Sequence, residues 1–221
     1  MSKHGIIVSG GSINDVFALE LFAQVQPDYV IGVDSGLSFL YRNKVTPTHI
    51  VGDFDSIAPD IIAYYKTQTN IPIREFNPVK DATDTEIALR LALELGAKKI
   101  WILGGTGTRL DHVLSNIQIL KIALDAGVEA YLVDECNRIS VWEKEITLSK
   151  GNAFGTYFSL FPLGEAVLDV TIEGAKYPVS HHSVSSYESR FISNEMREPE
   201  VKIRFPEGIL IFMETRDKNC D

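Results

Sequence analysis

The chain has 221 residues, 45% hydrophobic and 23% charged, with 21 basic against 30 acidic side chains and a net charge of −9. This is globular composition, with apolar mass for one large core or two smaller ones. The acidic balance, with no Lys/Arg-rich run, argues against a nucleic-acid partner, and the lack of any run of about 20 apolar residues argues against a membrane span. Two cysteines, Cys136 and Cys220, with no Cys-x-x-Cys pair, argue against a zinc or disulfide scaffold. The opening Met1–Gly11 stretch is too short for a signal-peptide core, so the expected setting is cytoplasmic.

In chain order, short apolar runs end in glycine or aspartate. They are Gly5–Ser9, Tyr29–Val33, His49–Val51, a weaker Ile71–Glu75, Lys99–Leu103 and Glu129–Val133. Between them lie helix-like stretches at Ile13–Val25, Leu37–Asn43, Pro59–Thr67, Thr83–Leu95 and Asp111–Ala126. Strand, turn, helix, strand predicts a Rossmann-like parallel sheet flanked by helices. Continuously apolar runs such as Ile100–Leu103 suit strands buried on both faces. Thr83 followed by Glu86 has capping-box spacing, and Gly96 and Gly127 fall where helices end. From about residue 138 the texture changes to short β-prone runs separated by Gly, Pro and Asn: Arg138–Trp142, Ile146–Leu148, Ala153–Phe161, Ala166–Ile172, Val201–Phe205 and Ile209–Glu214. Residues 1–137 are therefore expected to form an α/β domain, and 138–221 a small antiparallel β-sandwich.

In open parallel sheets, ligands bind beyond the carboxyl ends of the strands, and here those ends concentrate Gly and Asp. In Gly52-Asp53-Phe54-Asp55-Ser56, an extended segment would point Asp53 and Asp55 together and turn Phe54 into the core. Two close carboxylates call for a cation or a proton between them, and hard oxygen ligands favour Mg²⁺. A plain turn after a strand fits the same string. In Lys80-Asp81-Ala82-Thr83-Asp84-Thr85-Glu86, the acids serve a helix N-terminus and could also add a carboxylate to the same cation. Lys80 could offset their charge or touch a phosphate. Gly104-Gly105-Thr106-Gly107-Thr108-Arg109-Leu110-Asp111-His112 is a strand-to-helix glycine loop suited to anions, though not a Walker A loop. Arg109 offers a planar cation for phosphate oxygens, and Asp111 equally suits an N-cap. Gly10-Gly11-Ser12 and Asp34-Ser35-Gly36 add donors on the same edge, or are simply tight turns.

Together these strings resemble thiamine pyrophosphokinase, in the family's order and across most of the first 120 residues. The strings around Asp53 and Asp81 carry the resemblance, while Glu173–Tyr177 and Ile192–Glu195 extend it more faintly. It implies diphosphate transfer from ATP to the hydroxyl of thiamine, giving thiamine diphosphate and AMP, by a homodimer with active sites at the subunit interface. It also implies that Asp53, Asp55 and Asp84 hold Mg²⁺ against ATP, and that Asp81 and Thr83 sit beside the accepting hydroxyl. Gly10, Gly11, Ser12, Asp34, Ser35, Gly36, Thr106, Arg109 and Asp111 would serve the nucleotide. Ser193 and Asn194 would meet the aminopyrimidine, with Tyr177 as a stacking face. Two departures are Thr108, where the family often has glycine, and Tyr177, where Trp is usual. Two rivals use the same residues: a nucleotide-sugar glycosyltransferase with Asp53-Phe54-Asp55 as its Asp-x-Asp, and a non-catalytic nucleotide sensor. AMP release against sugar transfer, and ATP binding without thiamine consumption, would separate them.

Overall fold

The computed structural model describes residues 2–67, 70–75 and 81–218, in two compact units, Met1–Glu135 and Cys136–Asp221. The division falls two residues before the expected boundary because the second unit's pairing starts early. Arg216 N–H already bonds Cys136 O, and Asn137 pairs with Thr215.

The first unit contains β1 (His4–Val8), β2 (Tyr29–Val33), β3 (His49–Gly52), β4 (Ile73–Glu75), β5 (Lys99–Leu103) and β6 (Glu129–Val133). They pair in parallel in the order β6-β5-β1-β2-β3-β4. The chain therefore leaves β1 in one direction for β2, β3 and β4, and returns to β1's other side at β5. This reversal opens a crevice at the carboxyl ends of β1 and β5. Ile6, Ile7, Ile31, Ile50, Ile100 and Ile102 are wholly buried, as two-faced burial of their runs requires.

The helices are α1 (Asp15–Val25), α2 (Gly36–Arg42), α3 (Pro59–Thr67), α4 (Asp84–Glu94), α5 (Leu110–Gln118) and α6 (Leu120–Asp125). The expected single helix over 111–126 is thus two. Ile119 keeps helical angles (φ −67°, ψ −14°), but Ile122 N–H reaches back to Ile119 O, a tightened 3₁₀-type turn. Thr83 does cap α4, its hydroxyl accepting Glu86 N–H at 3.2 Å, whereas the Glu86 carboxylate turns to Arg90. Gly96 and Gly127 take left-handed angles at their helix ends. Among the described residues no helix is long and apolar enough to cross a membrane.

The second unit is two antiparallel sheets. One runs β12 (Asn194–Glu195), β9 (Tyr157–Pro162), β14 (Leu210–Thr215), β7 (Asn137–Trp142). The other runs β11 (Val179–Ser185), β10 (Ala166–Glu173), β13 (Glu200–Arg204), β8 (Ile146–Ser149). Phe158, Leu160, Leu210 and Phe212 of the first sheet share one apolar cluster with Ile146, Val167, Ile172, Val184, Val201 and Ile203 of the second. That shared core makes the pair a sandwich. Strands β11 and β12 lie at sheet edges and were missing from the sequence reading. β11 is Val-Ser-His-His-Ser-Val-Ser, half solvated, and a bulge interrupts its pairing with β10.

Candidate active site

The glycine strings after β1 and β5 form one structure. Ser9 N–H bonds Leu103 O at 2.8 Å, Gly11 N–H bonds Gly104 O at 2.7 Å, and Ser12 N–H bonds Thr106 O at 2.8 Å. The two loops run so close that a Cβ on Gly11 would stand 2.1 Å from Thr106 O; at the start of α2, one on Gly36 would stand 2.1 Å from Val8 O. Glycine is required here by backbone approach, not by a turn alone. Ser35 donates to Gly10 O at 3.3 Å, joining the segment after β2 to the same edge. Beneath the loop, the buried Asn116 of α5 donates to Gly105 O at 2.8 Å. Gly10, Gly11, Ser12, Ser35, Gly36 and Thr106 thus come together at one edge of the sheet.

The carboxylates converge differently from the sequence argument. The chain after β3 is not extended: Gly52 has φ 153° and Phe54 φ 63°. The same-side rule for extended residues therefore does not apply to Asp53 and Asp55. Phe54 still enters the core, while Asp53 is half-buried and Asp55 exposed, its N–H 3.3 Å from Asp53 Oδ1. The carboxyl that the structure draws inward is Asp34, at the end of β2 with φ 42°. Phe54 N–H donates to Asp34 Oδ1 at 3.3 Å, and a Cβ on Gly52 would lie 1.9 Å from that oxygen. Asp34 also hydrogen-bonds the Asp84 carboxyl and feels the charge of Asp53.

Burial first, then repulsion from Asp84, pushes the Asp34 carboxyl up from 3.8 to about 7 against the pull of the Phe54 N–H. A cation placed here would relieve that concentration of charge, and an all-oxygen carboxylate set suits Mg²⁺. Among the described residues no three ligand groups are already gathered around one point. The Asp34 and Asp84 carboxyls meet, with the charge of Asp53 felt nearby, while Asp55 and Asp81 are exposed. Sequence reasoning gave Asp34 no part in this cluster, and a lone Asp-Ser-Gly offers no signal for one.

Because its folded-state value is raised, ionised Asp34 costs stability. The cost is absent below the unfolded value of 3.8, grows as pH rises, and is complete above about 7. Asp34→Asn keeps an acceptor for the Phe54 N–H and tolerates the left-handed backbone. Thermal unfolding without divalent cations should show it more stable than the parent at about pH 8, with the gain vanishing by about pH 4. An equal gain at both pH values would remove the charge from the explanation.

Arg109 and Asp111 are mutual partners, with Arg109 Nε 3.2 Å from Oδ1 and Nη2 2.6 Å from Oδ2, both side chains exposed. The pairing holds the Asp111 carboxyl below its usual range. Asp111 lies within α5, not before it, and its carboxylate accepts His112 N–H; the capping alternative therefore falls away, since Arg109 occupies the N-cap position. Lys80 lies outside the described residues.

In the second unit, Asn194 is 5% exposed. Its Oδ1 accepts Tyr177 N–H at 3.0 Å and Glu195 N–H at 2.9 Å, and its Nδ2 donates to Tyr177 O at 2.9 Å. The amide thus clamps the Tyr177 backbone and leaves the Tyr177 ring exposed, with Lys176 Nζ 5.5 Å from its centroid. Ser193 is exposed at φ 55°, its N–H held by Ser159 Oγ at 3.0 Å. The two adjacent histidines part, His181 to Asp169 and His182 to Glu188. His181 also borders an open cleft of about 620 Å³ in which Arg204 bonds both Glu145 and Glu173.

Residues 23–132 match the family model of the thiamin pyrophosphokinase catalytic domain, and residues 143–210 that of the thiamin pyrophosphokinase vitamin B1 binding domain. Thiamine pyrophosphokinase of Bacillus subtilis is 31% identical over 215 residues, covering 96% of this chain and 98% of that protein. Its crystal structure superposes with a TM-score of 0.86 at 30% identity, covering 98% of this chain and 100% of that one. The crystal structure of thiamin pyrophosphokinase from Geobacillus thermodenitrificans gives 0.82 at 29% identity, with both chains fully covered.

Proposed function

Because the chain belongs to the thiamine pyrophosphokinase family, we propose that it transfers the diphosphate of ATP to the hydroxyl of thiamine, releasing AMP. The observation that carries this reading is the contact of the Asp34 and Asp84 carboxyls, with the charge of Asp53 nearby, beside two interlocked glycine loops where the order of strands reverses. A carboxylate cluster next to backbone N–H groups suits a polyphosphate accompanied by a cation.

Asp53, Asp55 and Asp84 would hold Mg²⁺, with the half-buried Asp34 hydrogen-bonded to Asp84. When bound, the ion neutralises charge on the phosphate oxygens and polarises the phosphorus centre. The glycine loops receive the nucleotide, and Arg109, its Nε and Nη2 held by Asp111, offers its remaining guanidinium hydrogens to phosphate oxygens. Asp81, exposed just before the N-cap Thr83, takes the proton of the thiamine hydroxyl. The hydroxyl oxygen forms a bond to the β-phosphorus as the bond from that phosphorus to the α,β-bridging oxygen breaks, and AMP leaves with that oxygen. The residues chiefly align these atoms and stabilise the charge that develops. Ser193 and the exposed Tyr177 ring meet the thiamine, and Asn194 acts by setting Tyr177 in place. The same reading carries a homodimer and a cytoplasmic setting.

The test is direct. Protein, ATP, Mg²⁺ and thiamine are incubated together and the products separated, with thiamine diphosphate and AMP expected in equal amounts. ADP in place of AMP, or ATP bound with thiamine left intact, would overturn the reading.

A further inference from the structure

The buried hydroxyls of Ser9 and Thr85 lie 2.9 Å apart, Ser9 at the end of β1 and Thr85 in the first turn of α4, next to Asp84. Both are nearly closed to solvent, 3% and 8% exposed. We propose that this pair is a positioning device for the acidic site, setting the rotation of the first turn of α4 and so where Asp84 stands relative to Asp34 and Asp53. The proposal rests on the reading of that cluster as a cation-and-phosphate site.

Helix α4 packs on β1, β2 and β3 through Ala88, Leu89, Leu91 and Ala92. Apolar packing of this kind sets how deep a helix sits, yet it is non-directional and resists small rotations weakly. The Thr83 cap lies within the helix's own first turn and does not tie it to the sheet. The bridge from Thr85 to Ser9 is directional and does make that tie.

Ser9 is also the residue on which the other site segments converge. Its N–H bonds Leu103 O, joining β1 to β5. Its carbonyl oxygen lies where a Cβ on Gly104 would come within 2.2 Å and one on Gly36 within 2.8 Å. The position that packs the glycine loops together is therefore the one that hydrogen-bonds the turn bearing Asp84. Net stability does not account for placing two hydroxyls here, because replacing both partners of a buried pair by apolar groups of the same shape is nearly neutral. What the pair adds is geometry.

The test compares the parent with Thr85→Val, Thr85→Ser and the double variant Ser9→Ala/Thr85→Val. Three quantities are measured: Mn²⁺ binding with ATP present, by electron paramagnetic resonance; the thermal midpoint; and thiamine diphosphate formation. Thr85→Val and the double variant should bind Mn²⁺ about tenfold more weakly, the scale seen when a group that orients a metal ligand is removed. The double variant should keep nearly the parent's midpoint, and Thr85→Ser should restore Mn²⁺ binding. If Thr85→Val fails to fold, the double variant decides. A folded double variant with the parent's Mn²⁺ affinity overturns the proposal, as does a Thr85→Ser variant as weak as Thr85→Val. A parent that binds no Mn²⁺ with ATP overturns the device and the site together. A parent that binds it but makes no thiamine diphosphate overturns the activity alone, and the Mn²⁺ series still judges the device.

Discussion

Asp53→Ala and Asp55→Ala should each lower turnover by about a thousandfold or more, equivalent to roughly 4 kcal/mol of lost charge stabilisation, with the fold intact. The separation of effects follows from the segment's geometry. Phe54 carries the packing, buried in the first unit's core with Lys66 Nζ 5.7 Å from its ring centre. Of the two aspartates flanking it, Asp53 is half-buried and Asp55 exposed. Alanine at either place removes a charge and little contact. Phe54→Ala should do the reverse, costing about 3–5 kcal/mol of stability through the cavity it leaves. Turnover at saturating ATP and thiamine, set beside thermal midpoints, separates the two. Near-normal turnover in either aspartate variant would take that residue out of the metal set.

An equally large loss of stability is expected in the second unit, at Glu214. Its side chain is 4% exposed and accepts Arg138 Nε and Nη2, each at 2.7 Å, together with Phe154 N–H at 2.9 Å. Arg138 reaches on to Asn152 O. The network joins β7, β14 and the chain around 152–154. Glu214→Ala withdraws the carboxylate from a cation largely shut off from water, at a cost of about 3–5 kcal/mol. Glu214→Gln keeps an acceptor and should lose less. Replacing both ions, as Arg138→Met/Glu214→Leu, should recover most of the loss, because two well-packed apolar groups need no desolvated charge. Chemical denaturation of the set checks the order. The functional echo should be a raised KM for thiamine: β14 pairs with β9, whose Ser159 holds Ser193.

How much of this was legible in the sequence depends on whether the signal is local. Tyr29–Val33, Pro59–Thr67, Lys99–Leu103 and Glu129–Val133 were read to the residue, because apolar runs and helix periods are written in neighbouring positions. The Thr83 cap was legible for the same reason. Strand β11 was not: it is a polar edge strand whose partner, not its own composition, makes it a strand. The Asp53–Phe54–Asp55 string stands out in the sequence, but the rule used to aim its side chains assumed an extended chain. Gly52 and Phe54 both leave that region.

The sequence by itself determined the kinds of groups at the strand ends, glycines and carboxylates, because each strand's hydrophobic run ends where its loop begins. It determined the change from α/β to β texture as well, since residue periodicity records which faces are buried. Only the tertiary structure decided which of those groups meet. Asp34 faces Asp84 across 50 positions, Ser9 bonds Thr85 across 76, and Glu214 holds Arg138 across 76. Contacts at such separations depend on how strands are ordered and how helices turn on the sheet, and no short window of residues encodes either.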